Sequence, residues 1–190
     1  MKSHLLLAAC AAAAAFASPV SAAPNGPRVE AILGMDRAQL DSFGNQDDPG
    51  ETGMVYGLGA GYDFAVGSAV ALGVDVEASD SSAAFHYVSP PDDNSLRLGL
   101  DLYAGARLTV AASDRVNLYV KAGYTSLQTH LVLLNPVFAL DADTSRGGAR
   151  LGTGVQVAVG GNFYIGGEYR FSTYDELDRH QGVATLGVRF

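Results

Sequence analysis

The sequence of 190 residues contains no tryptophan, and its only cysteine is Cys10. This cysteine lies in an apolar N-terminal stretch that is predicted to be cleaved, so we expect no disulfide bond in the mature chain. Basic residues are also scarce, with 12 Lys and Arg against 20 Asp and Glu. A formal net charge of −8 argues against a nucleic-acid partner, because too few cations are present to neutralise phosphates.

The N-terminus has the layout of a secretory signal. Lys2 and His4 give a weakly basic start, "LLLAACAAAAAFA" is apolar, and residues 20–22 are small. Roughly a dozen apolar residues are too few to span a bilayer. We therefore predict a signal peptide at 1–22 and one mature domain at 23–190. The segment "LAAC" resembles a lipoprotein cleavage box, an alternative that the short apolar run before it disfavours.

After the signal, no helical period persists, and apolar side chains alternate instead with polar residues or glycine. The pattern is clearest in "LRLGLDLYAGARL", where leucine or alanine recurs at every second position and places Leu98 and Leu100 on the apolar face, as "VNLYVKAGY" places Val120. This period predicts β-strands, and roughly nine to eleven residues suit a tilted membrane strand. The predicted strands are 29–36, 54–64, 70–77, 96–108, 116–124, 149–157, 163–171 and 182–190.

The charged residues of these segments all fall on the face opposite the apolar one. They are Glu30, Asp36, Asp63, Asp75, Glu77, Arg97, Asp101, Arg107, Lys121, Arg150, Glu168, Arg170 and Arg189. A soluble barrel with an apolar interior also alternates in this way. However, the charged face is rich in glycine and nearly balanced in charge, which suits a crowded lumen better than a solvated surface.

Two further observations favour a membrane barrel. Aromatic residues on the apolar face fall near the strand ends, as in interfacial girdles, although tryptophan is missing. They are Tyr62, Phe64, Phe163 and Phe190 at one rim, and Tyr124, Tyr169 and Phe171 at the other. Connections alternate between tight turns ("AVGS", "AASD", "VGGN") and longer loops. We predict an all-β fold, an eight-stranded antiparallel up-and-down transmembrane β-barrel.

The segments "GLGAGYDFAVGSAVALGVDVEAS", "GGEYRFS" and "GVATLGVRF" resemble those of the opacity-protein and OmpA-transmembrane-like barrels, a porin family of surface antigens. The resemblance covers the mature chain and implies an outer-membrane location in a Gram-negative bacterium. It also implies that Phe190 is a C-terminal signal for the outer-membrane assembly machinery. Because Phe190 closes the barrel, we expect no room for a periplasmic peptidoglycan-binding domain.

A barrel of eight strands is only wide enough for side chains to fill its interior. Tyr103, Tyr119 and Tyr164 are predicted to point inward with the charges. We predict a structural ion-pair network made by Glu30, Asp75, Glu77, Arg97, Asp101, Arg107, Lys121, Arg150, Glu168, Arg170 and Arg189. The expected function is a monomeric surface protein with a structural and interaction role and no wide pore. A narrow channel or carrier for small solutes is the alternative.

Other chemistry has weaker support. The histidines of the mature chain, His86, His130 and His180, are expected in three different long loops without metal-ligand spacing, so no metal or cofactor is predicted. A lipid-modifying enzyme would need a serine beside a histidine, but nothing distinguishes one among Ser81, Ser82, Ser126 and Ser172.

The loops supply the expected partners. They are acidic, which could bridge divalent cations to lipopolysaccharide or could simply be solvated. The exception is "HLVLLNPVFAL" (130–140), which is apolar where water is expected. It is interpreted as an extension of the fifth strand ended by Pro136, as a lid, or as a patch for a host or neighbouring surface ligand.

Overall fold

The computed structural model describes residues 22–40, 51–89, 92–135, 138–174 and 177–190, and the side chains of residue 40 and of 84–97 and 130–143 lie outside this description. Its strands are β1 (Gly26–Leu40), β2 (Glu51–Ala65), β3 (Val70–Ser81), β4 (Ala84–Ser89), β5 (Asp92–Ala111), β6 (Val116–Asn135), β7 (Phe138–Gly160), β8 (Phe163–Tyr174) and β9 (Leu177–Arg189). No helix in the described part of the chain is long and apolar enough to cross a membrane.

The strands form one closed antiparallel sheet. Consecutive strands pair with each other except β3 and β4, β9 pairs with β1, and the pairing of β3 with β5 completes the closure. β4 occupies the same position in the wall as β3, because β3 pairs with β5 from residue 101 onward and β4 pairs with β5 at 92–97. The wall therefore has eight positions, and the predicted eight-stranded antiparallel barrel is confirmed.

The two ends of the barrel differ in their connections. Tight turns join β2 to β3, β5 to β6 and β7 to β8, and we call this the turn end. The last of these turns places Gly161 at a φ of 55°, a left-handed conformation that glycine adopts without steric cost. The first and last described segments of the barrel lie here too, since the backbone N–H of Ala23 donates to the Ser68 carbonyl at 2.8 Å and that of Arg189 donates to the Asn162 carbonyl at 2.9 Å. The opposite end is called the loop end.

The wall is inverted relative to a water-soluble protein. Leu58 and Val120 expose 68% and 52% of their surface on the outside, whereas Asp63 and Arg170 expose 0% inside. Closure pairs the backbone groups of every strand with a neighbour, which is what an apolar medium demands of a spanning sheet. The predicted orientation of the two faces therefore holds in the barrel.

One predicted orientation is wrong. The register between β5 and β6 shifts between Leu98 and Asp101, so an extra residue enters β5 at that point. The parity of the strand reverses there, and Leu98 turns inward with only 3% exposure while Leu100 stays outside. The leucine alternation that predicted Leu98 on the outer face contains no signal for such a bulge.

The strands run further towards the loop end than predicted. The backbone of β6 continues to Asn135 and pairs with β7 as far as Phe138. For the backbone, this confirms the strand extension among the three interpretations of 130–140. Pro136 lies outside the described residues.

Candidate functional site

The lumen concentrates the ionisable side chains of the barrel. Among the residues whose side chains are described, seven acids and six bases are buried in the lumen, and Arg189 joins them at the rim. The acids are Glu30, Asp36, Asp63, Asp75, Glu77, Asp101 and Glu168, and the bases are Arg28, Arg107, Lys121, Arg150, Arg170, Arg179 and Arg189. The formal charges of this set cancel, as the burial of charge in a closed space requires.

Nearest the turn end, Asp75 lies between two guanidinium groups. It pairs with Arg28, and its Oδ2 is 2.8 Å from Nε of Arg107. Asp63 lies 3.7 Å from Arg28 and 2.8 Å from Arg189. The half-exposed Arg189 thus links the innermost pairs to the rim.

Glu30 on β1 joins this cluster to neutral side chains across the lumen. Its Oε1 accepts hydrogen bonds from Nε2 of Gln156 at 2.9 Å and from the hydroxyl of Tyr164 at 2.8 Å, and it lies 3.7 Å from Nη1 of Arg107. Because Gln156 and Tyr164 come from β7 and β8, the contacts of Glu30 cross the barrel instead of following one side of the wall.

The middle of the lumen is a second cluster built on Glu77 and Glu168. Lys121 pairs with both carboxylates, at 2.7 Å to Glu168. Arg170 lies 2.7 Å from Glu168 and 3.2 Å from Glu77. The hydroxyl of Tyr119 also donates to Glu168 at 2.7 Å. Each carboxylate in this cluster therefore has more than one cationic partner.

Towards the loop end, Asp101 and Asp36 share the guanidinium group of Arg179. Arg179 lies 2.9 Å from Asp101 and also pairs with Asp36. Arg150 pairs with Asp101 and reaches Glu77 at 3.5 Å, which connects this cluster to the middle of the lumen.

Hydroxyl groups satisfy the remaining lone pairs of the loop-end carboxylates. Thr125 and Tyr174 donate to Asp101 at 2.5 and 3.1 Å, and Ser81 donates to Asp36 at 2.8 Å. Buried ion pairs of this kind are stable only when such additional hydrogen bonds are present.

A buried apolar cluster adjoins the charges at the loop end. Its members come from the loop-end parts of six different wall segments, and they pack against one another inside the barrel. They are Ala38, Ala83, Leu98, Leu127, Tyr174 and Leu177. The hydroxyl of Tyr174 contacts Asp101, so the apolar layer lies directly on the charged cluster.

Inward glycines make room for the large polar side chains. Tyr119 lies opposite Gly154 and Tyr164 lies opposite Gly187 in the strand register. A Cβ atom at Gly154 would be 2.6 Å from the Tyr119 ring, and one at Gly187 would collide with the Tyr164 ring. Arg107 in turn lies 4.0 Å above the Tyr119 ring, where a cation–π contact is favourable.

Ten of the eleven predicted network residues are placed in these clusters, and the side chain of Arg97 lies outside the described residues. Arg28 and Arg179 were missed. Both share the parity of the predicted inward charges but fall just beyond the segments 29–36 and 182–190. Allowing the alternation to continue past its apolar residues would have found them.

The histidines lie in strands, not in loops as predicted. His86 is in β4, His130 in β6 and His180 in β9, because these strands continue beyond the apolar segments. The side chain of His180 points outward, and its Nδ1 lies 2.6 Å from the hydroxyl of Tyr169. The described residues contain no group of three potential ligands that could hold a metal ion.

An inverted, closed, eight-position wall with a charged interior defines the class of outer-membrane β-barrels. The family model for the outer membrane protein beta-barrel domain matches residues 4–190. The chain therefore belongs to this family, and the predicted family and outer-membrane location are confirmed.

Two solved structures share the fold. The chain is similar to Ail, the attachment invasion locus protein of Yersinia pestis, with a TM-score of 0.59, 15% identity, and coverage of 88% of this chain and 100% of Ail. It is also similar to Neisserial surface protein A, with a TM-score of 0.58, 20% identity, and coverage of 87% and 97%. No curated protein matches the sequence significantly.

Proposed function

We propose that this protein is a closed surface barrel whose lumen is structural and whose loop-end strands make surface interactions. The observation that carries this proposal is the lumen itself, in which paired charges are covered by an apolar layer at the loop end. A hydrated path would need these pairs to separate, and removing a partner from a buried charge is costly. A wide pore is not compatible with this interior, and no described feature favours a narrow channel.

The proposal does not include catalysis. His180, the histidine whose side chain is described, contacts Tyr169 and Phe171 instead of a serine. Ser172 accepts a hydrogen bond from Nε of Arg150 at 2.8 Å inside the lumen. Neither arrangement supplies the serine and base that a hydrolase or acyltransferase of this kind would use.

Planar-bilayer conductance tests the closed lumen. We expect the refolded, verified monomer to give no stable channel steps under conditions in which a general porin, reconstituted as the control, conducts. Stable large steps from the monomer would overturn the proposal. Small conductance steps that are lost when contaminating proteins are removed by further purification would not contradict it.

The surface role is supported by the extended β6 and β7 hairpin. These strands stay paired up to Asn135 and Phe138, and the sequence there is apolar. An Ail structure in complex with the heparin analogue sucrose octasulfate (TM-score 0.55, 17% identity) adds a case of ligand binding on this fold. For this chain we propose an apolar contact through 130–140 with a host or neighbouring surface.

Deleting 131–139 tests that contact. We expect the variant to keep heat-modifiable migration on gels, because the remaining hairpin still pairs, and to lose cell adhesion or autoaggregation. Glu51→Gln, at the loop end of β2, is the control and should adhere normally. Unchanged adhesion of a folded deletion variant would contradict the surface role of this hairpin.

A further inference from the structure

The outward wall carries one isolated base near the loop end. Arg37 on β1 is exposed, and among strand residues with described side chains it is the only Lys or Arg on the outward face. The other strand bases with described side chains face the lumen. The side chain of Arg37 has no ion pair with any described residue, and it lies exposed on the outer face of the wall.

His180 and Phe171 lie beside Arg37 on the same face. Arg37 is directly opposite His180 in the register of β1 and β9, and His180 is directly opposite Phe171 in the register of β9 and β8. Directly paired residues in a sheet share a face and have adjacent side chains. The three residues therefore form a row across three strands.

The imidazole of His180 is held in place. Its Nδ1 lies 2.6 Å from the hydroxyl of Tyr169, and its ring centroid is 5.0 Å from that of Phe171. In the tautomer in which Nδ1 accepts from the tyrosine hydroxyl, the ring proton lies on Nε2, which has no partner among the described residues. In that tautomer His180 offers an N–H donor next to the Arg37 guanidinium.

The row lies where the apolar wall gives way to polar residues. Towards the turn end, the outward residues of β1 are the exposed Met35 and Leu33. Towards the loop end, the next outward pair is Gln39 opposite Asp178. Tyr169 belongs to the aromatic band that marks the interface in such barrels. Since tight turns face the periplasm and longer connections face outside, this is the headgroup level of the outer leaflet.

A shallow furrow runs from the row into the apolar wall. Gly182 lies between Met35 and Tyr169, and Ala184 lies between Leu33 and Gly167. A Cβ atom added at Gly182 or Gly167 would meet nothing within 4 Å. The furrow contains only small residues, and the larger apolar Met35 and Leu33 flank it on the β1 side, which suits an acyl chain.

We propose that Arg37 and His180 bind a phosphate group of an outer-leaflet glycolipid of the lipid A type, with one acyl chain lying along Gly182 and Ala184. Charge complementarity selects the phosphate, because a guanidinium and an imidazole N–H both donate to phosphate oxygens. The furrow distinguishes a lipid from free phosphate, which has no apolar part to place there. Asp178 lies opposite Gln39, one step further from the membrane centre, and does not pair with Arg37.

Native mass spectrometry of the refolded protein tests this site, with bis-phosphorylated lipid A as the probe. Arg37→Gln should weaken adduct formation by about fivefold, as expected for the loss of one base near an anionic surface, and Arg37→Gln with His180→Gln should weaken it further. Arg115→Gln, at an exposed turn-end base, is the matched control and should bind normally. Heat-modifiable migration verifies that each variant is folded.

Two further measurements separate the lipid from its phosphate. Dephosphorylated lipid A should bind the unaltered protein and the double variant equally weakly. Gly182→Leu, which fills the furrow without contacting the lumen, should also reduce lipid A binding. Equal lipid A adducts on the unaltered protein and the folded double variant would overturn the proposal, and so would full competition by inorganic phosphate. Conductance of the lumen has no bearing on this result.

Discussion

At the residue scale, the barrel depends on carboxylates that each serve several donors. Asp101 forms ion pairs with Arg150 and Arg179 and accepts hydrogen bonds from Thr125 and Tyr174. A single side chain therefore joins β5 to four other strands. Removing such an acid does not merely delete contacts. It leaves two buried guanidinium groups short of a counter-charge, which is the costly way to break an ion pair.

We therefore expect Asp101→Ala to lower the free energy of unfolding by about 3 to 5 kcal/mol. Urea titration of the protein refolded in liposomes measures this change. Asp114→Ala, at an exposed turn residue, is the control and should change stability by less than about 0.5 kcal/mol. A loss of similar size in both variants would contradict the role given to Asp101.

A second residue-scale prediction concerns the glycines beneath the tyrosine rings. Gly187→Ala should destabilise the barrel by about 1 to 3 kcal/mol, because the added methyl group displaces the ring of Tyr164 and its hydrogen bond to Glu30. Gly182→Ala, on the same strand but facing outward into open space, is the matched control. Equal urea midpoints for the two variants would show that the ring does not need the glycine.

Parity in the sequence predicted which charges face inward, but it could not predict their partners. Glu30 contacts Tyr164, and Glu77 contacts Arg150 and Lys121, across sequence separations that depend on the stagger of the strands. The same limit explains Leu98, since a bulge is a property of two paired strands and leaves no trace in one of them.

At the scale of elements, the sequence predicted the membrane-embedded part of each strand and missed its ends. Alternation is strict where one side chain in two meets lipid, and this constraint ends where the strand leaves the membrane. β5, β6 and β7 continue well past that point, which is why the predicted loops were too long and the histidines were assigned to them.

The closing strand β9 supplies the element-scale prediction. Phe190, the residue that follows β9, is exposed, and its backbone N–H donates to the Pro27 carbonyl of β1 at 2.9 Å. We propose, from the resemblance, that this side chain is read by the assembly machinery. Phe190→Ala should reduce the amount of folded protein in the outer membrane severalfold, whereas refolding of the purified variant into liposomes should be nearly unchanged, because the backbone bond remains.

Leu186→Ala is the control for that experiment, since it removes an outward apolar side chain from the same strand. In cells, more folded protein should reach the outer membrane with Leu186→Ala than with Phe190→Ala. If both variants reach the membrane in equal amounts, Phe190 is not an assembly signal. If Phe190→Ala fails to refold in vitro as well, its role is structural.

At the scale of the whole molecule, the fold is governed by the inversion of its two faces. Outside, apolar side chains replace the contacts that lipid tails would otherwise make with each other. Inside, the described acids and bases cancel and are covered by the apolar cluster at the loop end. The glycine-rich charged face, the aromatic rims and the alternating connection lengths were sufficient to predict this arrangement from the sequence. Each of these features depends on which medium surrounds that part of the barrel and not on how individual side chains pack.

Spin labels on the outer wall test this inversion most directly. Labels at Leu72, Val120 and Leu186, which are exposed on β3, β6 and β9, should collide freely with oxygen and hardly at all with a water-soluble nickel complex once the barrel is in liposomes. A label at the turn residue Asp114 is the aqueous reference and should show the reverse. If nickel accessibility at the three wall positions equals that at Asp114, then water and not lipid covers the apolar face.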